Sequence, residues 1–473
     1  MRLGDLVDTP LAPRAAGVDI TSLAFDNREA RPGTLFFAVP GFTRDGHDFA
    51  PDAVERGAAA LVVERPLELL VPQIQVPDAR AAMAPIAARF HGDPTAALAV
   101  VGVTGTNGKT TSCFLIRELL AAGGVQTALL GTVKSVIGGQ EATLQRTTPE
   151  AIELQAAFAR MRAAGDQACA MEASSHALAL HRVDAIHWAA ALFTNLTQDH
   201  LDFHPTMEDY FLAKRRLFEV CEGVRVVNVD DPYGRRLARD FPDAVTFAID
   251  HDAQLRAIDV HSTLTGSTFR LDGAELHTPL PGRFNVSNVL GAIAVARALG
   301  VDDAAIVAAL ADAGRVPGRF EPVDEGQPFA VLVDYAHTPD SLENVLRAAR
   351  ELTRDRVIVT FGAGGDRDTA KRPLMGRAAA EGADVVIVTS DNPRSEDPEA
   401  IIAQILAGVS RDVEVEVDRA RAIARAVAAA REGDVVVIAG KGHEQGQELA
   451  GGRKVPFDDV EVAREALRAR VAA

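Results

Sequence analysis

The sequence is poor in cysteine and lacks long apolar runs. Its three cysteines, Cys113, Cys169 and Cys221, are far apart and odd in number, so neither a disulfide framework nor a metal-binding or redox pair is indicated. We expect them to be buried free thiols in a reducing compartment. The chain opens without the basic and apolar segments of a signal peptide, and no apolar run is long enough to span a membrane. These absences predict a cytoplasmic protein.

Positive charge and aromatic residues are also scarce. The 473 residues carry 49 basic side chains against 66 acidic ones, a net charge of −17. This balance disfavours a general binding surface for nucleic acid or anionic membranes. Apolar residues make up 47% of the chain and charged residues 24%, which is typical of a globular protein. The length predicts several domains, and no repeat of solenoid length is present.

The most informative stretch is residues 101–111, which read V-G-V-T-G-T-N-G-K-T-T. The apolar run 97–103 before it predicts a buried strand, and residues 112–122 predict a helix. The glycines between strand and helix free backbone N–H groups to turn towards an anion, and the following lysine and threonine can contact phosphate and magnesium. The first glycine of the standard P-loop pattern would fall at Val103. The stretch is therefore a variant phosphate-binding loop.

Three acidic or histidine positions follow predicted strands in the same region. Glu172 ends a strand over residues 167–171, where open α/β sheets bind ligands, and we expect it to coordinate a metal. His200 and His204 are four residues apart, which on a helix would place both on one face, as in zinc sites. A zinc protease is disfavoured because no glutamate follows the first histidine and a phosphate loop is present. We predict that His200 joins Glu172 on magnesium and that His204 is structural or substrate-facing.

Two further expectations rest on local pattern alone. Thr148 precedes a proline and a glutamate, an arrangement that predicts a helix N-cap. Lys214 lies in a helix-like stretch, 210–218, on what its neighbours indicate is a basic surface face. The local pattern therefore predicts an ordinary surface lysine.

The alternation of strands and helices predicts an α/β protein of three domains. Residues 1–95 predict a small α/β domain, residues 96–316 a central P-loop ATPase-like domain with a mostly parallel sheet, and residues 317–473 a Rossmann-like domain. The last has predicted strands near 329–334, 356–361, 383–389 and 434–439, and helices near 339–352, 373–381, 398–409 and 418–431. Strand and helix in strict turn favour a parallel sheet with right-handed crossovers.

Polar loops follow each of the four strands predicted in the last domain. They read D-Y-A-H at 334–337, G-A-G-G-D-R-D at 362–368, D-N-P-R at 391–394 and G-K-G-H-E at 440–444. Arg367 occupies the place of the last glycine of a dinucleotide fingerprint, which disfavours a nicotinamide cofactor. Because the carboxyl ends of parallel strands share one sheet edge, four such loops predict a polar ligand site.

Taken together, the motifs resemble those of the Mur ligases of peptidoglycan synthesis. The resemblance spans nearly the whole chain, from residue 26 to residue 444. It rests on G-T-N-G-K-T-T (105–111), E-A-S-S-H (172–176), T-N-L-T-Q-D-H-L-D (194–202), N-V-S-N (285–288), G-R-F-E (318–321), D-Y-A-H (334–337) and G-K-G-H-E (440–444). It implies an ATP-dependent, magnesium-dependent amide ligase. Its three domains would bind the uridine end of UDP-MurNAc-L-Ala-D-Glu, ATP with magnesium, and the incoming amino acid.

The residues at 391–394 are similar to the motif of members that add meso-2,6-diaminopimelate, whereas lysine-adding members lack the arginine. The implied diaminopimelate contacts are Arg367, Asp391, Asn392, Pro393, Arg394, Gly440 and Glu444. The implied contacts to the UDP-linked substrate are Phe25, Asn27, Phe42, Thr43, Arg44, Thr147, Thr148, Ser174, Leu180 and Arg182. The implied ATP contacts are Gly105, Thr106, Asn107, Gly108, Lys109, Thr110, Thr111, Asn288, Arg319, Asp334 and His337.

The resemblance also implies the catalytic set and the reaction. The catalytic residues would be Lys109, Glu172, His200 and Lys214, and magnesium would be held by Thr110, Glu172, His200 and Lys214, the last as carbamylated N6-carboxylysine. Lys214 would then not be the surface lysine that its local pattern predicts. The D-glutamate γ-carboxylate would attack the ATP γ-phosphate, and the amine of diaminopimelate would attack the resulting acyl phosphate. Exclusion of water favours closure of the third domain, with a hinge near 315–318.

Other interpretations stay open at this stage. A lysine-adding ligase of the same family would share every motif except D-N-P-R. A folylpolyglutamate synthetase has a similar ligase core, but residues 1–95 argue against it. A P-loop ATPase switch would hydrolyse ATP without a carboxylate acceptor or an amine. For the ligase implied by the resemblance we expect a monomer.

Overall fold

The computed structural model describes residues 1–142 and 146–471 as a mixed α/β protein with mostly parallel sheets. The chain divides into two compact units. The first comprises Met1–Thr104, Gly124–Ala191 and Ala213–Val224, and the second comprises Gly105–Gly123, Leu192–Leu212 and Arg225–Ala473. No helix in the described ranges combines the length and apolar character needed to cross a membrane. The three cysteines are free and buried, as predicted.

The α-helices are α1 Leu3–Leu6, α2 Pro13–Ala16, α3 Ala50–Glu55, α4 Ala79–Phe90, α5 Lys109–Ala122, α6 Ala151–Ala163, α7 Ser175–Ala179, α8 Met207–Val220, α9 Pro232–Asp240, α10 Arg283–Ala298, α11 Asp303–Ala311, α12 Pro339–Glu351, α13 Lys371–Gly382, α14 Pro398–Leu406, α15 Arg419–Ala429 and α16 Asp459–Val471. Short 3-10 turns cover Asn27–Glu29, Gly46–Phe49, Pro94–Ala97 and Ala450–Gly452.

The strands are β1 Ser22–Ala24, β2 Thr34–Phe37, β3 Ala58–Val63, β4 Gln73–Gln75, β5 Ala99–Thr104, β6 Thr127–Leu130, β7 Ser135–Ile137, β8 Gln140–Ala142, β9 Ala168–Glu172, β10 Trp188–Phe193, β11 Val224–Asn228, β12 Val245–Ala248, β13 Leu255–Arg256, β14 Ile258–Thr263, β15 Gly266–Leu271, β16 Ala274–Thr278, β17 Glu321–Pro322, β18 Ala330–Asp334, β19 Val357–Phe361, β20 Val385–Val388, β21 Glu414–Val415, β22 Val435–Ala439, β23 Gly446–Leu449 and β24 Arg453–Pro456.

In the first unit, β1 to β4 form a parallel sheet in chain order. Alternate residues of β2 point to opposite faces, because successive side chains of a strand alternate. Leu35 and Phe37 pack in one core with Met83 of α4, while Phe36 packs in the other with Ala53 of α3. The α/β composition predicted for the start of the chain is therefore observed.

A second set of strands in the first unit surrounds β9. Strand β9 pairs in parallel with β5 on one side and with β6 on the other. Beyond β6 the pairing is antiparallel, between β6 and β7 and between β7 and β8. In the second unit, β11, β12 and β13 pair in parallel, and β14 to β16 form a separate antiparallel sheet. Apart from the separate antiparallel sheet, four of these six pairings are parallel, as the predicted mostly parallel sheet requires.

The C-terminal sheet has the order β17-β18-β22-β19-β20-β21 and is parallel except for β17. Its central strands are apolar on both faces: Leu332 packs in one core, and Val331 and Val333 pack in the other. Buried parallel strands have this composition because helices cover both faces of the sheet. The four strands predicted here are confirmed, each within two residues of its predicted ends.

Two helix starts differ from prediction. Helix α5 begins at Lys109 rather than at residue 112, directly after Gly108, whose φ of 84° turns the chain into the helix. Helix α6 begins after Glu150, so Thr148 is not its N-cap. The Thr148 hydroxyl instead donates to the carbonyl oxygen of Glu172 at 2.8 Å. That partner comes from a distant strand and could not be read from the local pattern.

Candidate functional site

The glycine-rich loop between β5 and α5 packs closely against other residues of the second unit. Gly105 and Gly108 have φ angles of 148° and 84°. A Cβ atom at Gly105 would collide with the Thr194 hydroxyl, and one at Gly108 would collide with the Asn288 side-chain carbonyl. Both positions therefore require glycine for conformation and for space.

The cationic and hydroxyl groups of this loop have defined partners. Lys109 donates from Nζ to the carbonyl oxygens of Gly105, at 3.0 Å, and Thr106, at 2.7 Å, so its ammonium lies over the loop. The buried Thr110 hydroxyl accepts from Nη2 of Arg319 at 3.2 Å. Two residues predicted to contact ATP from distant parts of the sequence thus meet. Loop, lysine and arginine together can bind a polyphosphate.

Residues 194–204 brace the loop. The Thr194 hydroxyl donates to the carbonyl oxygen of Asn107 at 2.6 Å, and Asn107 N donates to Oδ1 of Asn195 at 2.9 Å. His200 adopts a left-handed φ of 55°, which is uncommon for a residue with a side chain and recurs at functional sites. The two histidines do not share a helix face, because no helix covers 200–204. His204 is buried, and its ring lies 5.1 Å from that of Tyr210, as a structural histidine would.

Asp199 adds a buried carboxylate beside His200 that sequence reasoning did not single out. Its Oδ1 accepts from the His200 backbone N at 2.9 Å and lies 4.0 Å from Nζ of Lys371. Burial opposes its ionisation, but the charges of His200, His337 and Lys371 lower the pKa of Asp199 to about 2. The group is therefore an anion at neutral pH.

The loop after β18 carries two buried titratable groups. Oδ2 of Asp334 accepts from the Phe320 backbone N at 2.7 Å, and burial raises the pKa of Asp334 to about 6 although Arg319 opposes the shift. Burial, followed by the charge of Lys371, lowers the pKa of His337 to about 4. The Arg319 guanidinium stacks 4.3 Å above the ring of Tyr335. Arg319, Asp334 and His337, which are all predicted ATP contacts, therefore lie in one polar cluster.

In the first unit, Glu172 ends β9 as predicted, and its side chain is buried. Its Oε1 accepts from the backbone N of Thr132 at 2.7 Å, and its Oε2 accepts from the Thr132 hydroxyl at 3.1 Å. That hydroxyl shares a 3.0 Å hydrogen bond with Thr147. A carboxylate oxygen is a hard ligand of the kind that magnesium prefers.

Lys214 is buried with 1% of its surface exposed, so the surface location predicted from its local pattern is wrong. The pattern failed because tertiary packing, rather than helix composition, buries this face of α8. A buried lysine is under pressure to lose its charge or to be paired.

The contacts implied for the UDP-linked substrate fall in two places of the first unit. Around Thr148, its hydroxyl lies 3.2 Å from that of Ser174, and Nη1 of Arg182 donates to the Thr148 carbonyl oxygen at 3.3 Å. Arg182 also pairs with the buried Glu150 at 3.0 Å, as does Arg80 at 3.0 Å. Arg146 lies 3.8 Å from the same carboxylate, so three guanidinium groups surround it and leave a net positive charge there. Burial lowers the pKa of Arg182.

Most of the remaining positions lie in or beside turns at the surface. Asn27 donates from Nδ2 to Oδ2 of Asp52 at 2.7 Å, and Phe42 is 80% exposed. Thr43 and Arg44 are exposed in the turn that Gly41 N closes by donating to the Arg44 carbonyl oxygen at 2.8 Å. Partly buried positions complete this set: Phe25, and Leu180 at the end of α7.

The four polar loops of the C-terminal sheet lie at the ends of β18, β19, β20 and β22, as predicted. Asn392 donates from Nδ2 to Oε2 of Glu444 at 2.8 Å. Lys441, which is completely buried, donates from Nζ to Oδ1 of Asn392 at 2.8 Å and to Oε2 of Glu444 at 3.0 Å. Two implied diaminopimelate contacts are thus joined through a buried ammonium. Asp391, Pro393 and Gly440 are buried beside them.

Arg394 is held on two sides. Its Nη1 donates to the carbonyl oxygen of Gly365 at 2.7 Å, and its Nε donates to Oε2 of Glu448 at 2.8 Å. Its φ of 54° is left-handed, so its backbone is also specified by its surroundings. Arg367 is exposed, and its Nη1 donates to the carbonyl oxygen of Asp366 at 2.9 Å. The site therefore offers one fixed and one solvent-facing guanidinium.

Magnesium was predicted at Thr110, Glu172, His200 and Lys214. Among residues 1–142 and 146–471, no three His, Cys, Asp or Glu side chains converge as a metal site would require. The predicted set contains only two side chains of those types and does not depend on such a cluster. Its hydroxyl, carboxylate and carbamate oxygens would be hard ligands, which suit magnesium.

Several residues of these sites were missed by sequence reasoning. Thr132, Asp199, Lys371, Lys441 and Glu448 all contact or face predicted site residues. Thr132 and Lys441 each follow a strand, and that position was a usable signal. Glu448 lies on the hairpin β23–β24, and its pattern gives no indication of a functional contact.

Comparison with known proteins gives consistent matches along the chain. Three family models match in order: "Mur ligase family, catalytic domain" over residues 19–91, "Mur ligase middle domain" over 103–296 and "Mur ligase, glutamate ligase domain" over 318–442. A UDP-N-acetylmuramoyl-L-alanyl-D-glutamate–2,6-diaminopimelate ligase of Solibacter usitatus is 47% identical over 489 residues, covering 99% of this chain and 98% of the relative.

Solved structures agree with these matches. A structure of a UDP-N-acetylmuramoyl-L-alanyl-D-glutamate–2,6-diaminopimelate ligase is 32% identical, with a TM-score of 0.71, covering 100% of this chain and 99% of that one. A MurF ligase from Thermotoga maritima in complex with ADP has a TM-score of 0.66 at 19% identity, covering 96% of this chain and 98% of that one. The second similarity is one of fold.

Proposed function

The chain belongs to the Mur ligase family, and from this premise we propose that it adds meso-2,6-diaminopimelate to the D-glutamate γ-carboxylate of UDP-MurNAc-L-Ala-D-Glu, with ATP as co-substrate. The observation that carries the choice of amino acid is the fixed guanidinium of Arg394, held by Gly365 and Glu448 at the edge of the C-terminal sheet. The names of the relatives agree with this substrate.

The recognition argument is electrostatic. Meso-diaminopimelate carries an ammonium and a carboxylate at its distal centre, whereas lysine carries only the ammonium. A guanidinium matches a carboxylate with two parallel hydrogen bonds, and Glu444 can accept from an ammonium. With lysine bound, Arg394 would lose its water without gaining a partner, which costs about 1–3 kcal/mol or more. We therefore expect discrimination of roughly fivefold to more than a hundredfold from this residue.

The phosphate loop supports the first half of the reaction. Lys109 and Arg319 would bind the ATP phosphates, since both guanidinium and ammonium already lie over the loop or its first helical turn. The γ-carboxylate of the substrate would attack the γ-phosphate to give an acyl phosphate and ADP. The amine would then attack the acyl carbon, with phosphate as the leaving group and one proton released.

Magnesium would be held by Thr110, Glu172, His200 and a carbamylated Lys214. The ion would neutralise phosphate charge during transfer. Lys214 is buried, and a lysine, unlike an arginine, can lose its proton when desolvated; the neutral amine can then add to carbon dioxide and release one proton to give a carbamate anion. The modification would convert a buried cation into a metal ligand.

The proposal is tested by phosphate release with ATP and UDP-MurNAc-L-Ala-D-Glu, supplying meso-diaminopimelate or L-lysine in parallel. We expect release to require the UDP-linked acceptor and to favour diaminopimelate strongly. In Arg394→Ala the preference should collapse. Arg411→Ala is the control, because that arginine contacts carbonyl oxygens of residues 383 and 384, outside the four loops, and it should keep the wild-type preference.

The alternatives predict different results. Preference for lysine would indicate a lysine-adding ligase and would show that Arg394 does not select diaminopimelate. Release indifferent to acceptor and amine would indicate an ATPase switch. A folylpolyglutamate synthetase is disfavoured by the match of a Mur ligase model to residues 19–91. We further propose that the enzyme acts in the cytoplasm, where ATP is available, and as a monomer.

A further inference from the structure

Glu448 contacts the predicted amino-acid site but belongs to none of its motifs. It lies on β23, which pairs antiparallel with β24, and the Glu448–Lys454 pair is part of that register. Its side chain is 31% exposed, and Oε1 lies 3.0 Å from Nζ of Lys454. The hydrogen bond from Lys454 and then that from Arg394 lower the pKa of Glu448, which keeps it ionised at neutral pH.

The hairpin is attached to the D-N-P-R loop through its main chain as well. Glu448 N donates to Oδ1 of Asn392 at 2.9 Å, and Arg394 N donates to the Glu448 carbonyl oxygen at 3.1 Å. Oδ1 of Asn392 also accepts from Lys441. Glu448 is thus joined to two of the residues implied to contact the amino acid.

We propose that Glu448 is the positioning residue that sets amino-acid specificity, by fixing the Arg394 guanidinium for an incoming carboxylate. The inference rests on the proposed function. Oε2 of Glu448 accepts a hydrogen bond from Nε of the guanidinium, and the Gly365 carbonyl oxygen accepts one from Nη1. Within residues 1–142 and 146–471, Nη2 makes no hydrogen bond. The end formed by Nη1 and Nη2 is the pair of donors that a carboxylate can meet bidentately.

Glu448 could act in a second way, as a competitor for the guanidinium. Two observations favour positioning. The glutamate uses Nε and leaves the Nη1–Nη2 end to a ligand. Its charge is shared with Lys454, which reduces its repulsion of a second carboxylate. Positioning and competition predict opposite changes in the KM for diaminopimelate, so they can be separated.

The test uses Glu448→Gln, which keeps the size of the side chain and removes its charge, and Glu448→Ala in the full-length enzyme. Phosphate release is measured with UDP-MurNAc-L-Ala-D-Glu, ATP and either meso-diaminopimelate or L-lysine. We expect the KM for diaminopimelate to rise about tenfold in Glu448→Ala, which loses the charge-assisted hydrogen bond to Arg394, and to rise also in Glu448→Gln, which keeps an acceptor oxygen but loses the ion pair. The KM values for ATP and for the UDP-linked substrate should not change, and the preference over lysine should fall by a similar factor.

A double-mutant cycle with Arg394→Ala tests whether Glu448 acts through the arginine. In the Arg394→Ala background, Glu448→Gln should have no further effect on the preference. The matched control is Glu208→Gln, which breaks an exposed glutamate–arginine pair with Arg236, at 2.6 and 2.7 Å, outside the four loops. It should keep the wild-type preference.

The outcomes separate the two proposals. If the wild-type enzyme shows no release dependent on diaminopimelate, the proposed function is wrong. If the wild type prefers diaminopimelate and Glu448→Gln keeps both KM and preference, the positioning role is wrong. A fall in KM for diaminopimelate would overturn it in favour of competition, and an equal effect of Glu448→Gln with and without Arg394 would show that it does not act through the guanidinium.

Discussion

Arg419 and Asp459 form an ion pair in which both side chains are completely buried. Nε and Nη2 of Arg419 donate to the two carboxylate oxygens at 2.8 and 2.7 Å. Nη2 also donates to the carbonyl oxygen of Ala439 at 3.0 Å. Because Ala439 ends β22, the pair supports the strand end that leads into the G-K-G-H-E loop.

Removal of one partner should therefore be strongly destabilising. Asp459→Ala leaves a buried, uncompensated guanidinium, which costs about 3–5 kcal/mol of unfolding free energy. Urea unfolding monitored by far-UV circular dichroism measures the loss. Glu325→Ala, which breaks partly exposed ion pairs with Arg468 and Arg464, should change stability far less. Equal losses in the two variants would contradict the role assigned to burial.

Two buried groups, Asp334 and His337, should have opposite effects on how the free energy of unfolding changes with pH. The pKa of Asp334 is raised to about 6, so the folded state binds its proton more tightly, and this contribution to stability falls as pH rises from about 3.8 to 6. The pKa of His337 is lowered to about 4, so its contribution falls as pH drops from about 6.5 to 4. Each effect is on the order of 3 kcal/mol, and they largely cancel.

Single substitutions should break this cancellation. Asp334→Asn removes the first group, so stability should fall more steeply than in wild type between pH 6.5 and 4.5. His337→Gln removes the second group, and stability should instead rise towards pH 4.5. Unfolding free energies at pH 4.5 and 7 for the three proteins measure both slopes. Parallel slopes in all three would show that neither group is perturbed.

The phosphate loop should not tolerate a side chain at Gly108. Gly108→Ala places a methyl group against Asn288 at a φ of 84°, so we expect at least tenfold weaker nucleotide binding by calorimetry with ADP and magnesium. Gly451→Ala has a similar backbone strain, with φ of 72°, but nothing within 4 Å of the added atom. That control should bind ADP normally; weakened binding in both variants would point to strain alone.

Carbamylation of Lys214 should make activity depend on carbon dioxide. Enzyme depleted of carbon dioxide should lose most of its phosphate release and should recover it on addition of bicarbonate, because the carbamate forms reversibly. Lys214→Ala should be inactive with or without bicarbonate. Lys134→Ala, at a half-exposed lysine paired with Glu141, should respond as wild type does. Activity of the wild type that is independent of bicarbonate would argue for an unmodified lysine.

Much of the fold could be predicted because its signals are local. The strands of the C-terminal sheet are made largely of valine, isoleucine and leucine, and the four predicted there lie within two residues of their predicted ends. The glycine-rich loop was visible because glycine before Lys109 allows a conformation that other residues rarely adopt. Glu172 was correctly placed at a strand end by the same reasoning.

The sequence alone determined the order of strands and helices, the phosphate loop, the polar loops after the parallel strands and the family, since these depend on neighbours along the chain. Tertiary structure decided which polar groups are buried and which partners they meet. Lys214 is buried. The Thr148 hydroxyl donates a hydrogen bond to the Glu172 carbonyl oxygen, and Arg394 donates one to Glu448, 54 residues away. Such contacts join distant segments, and no local pattern specifies them.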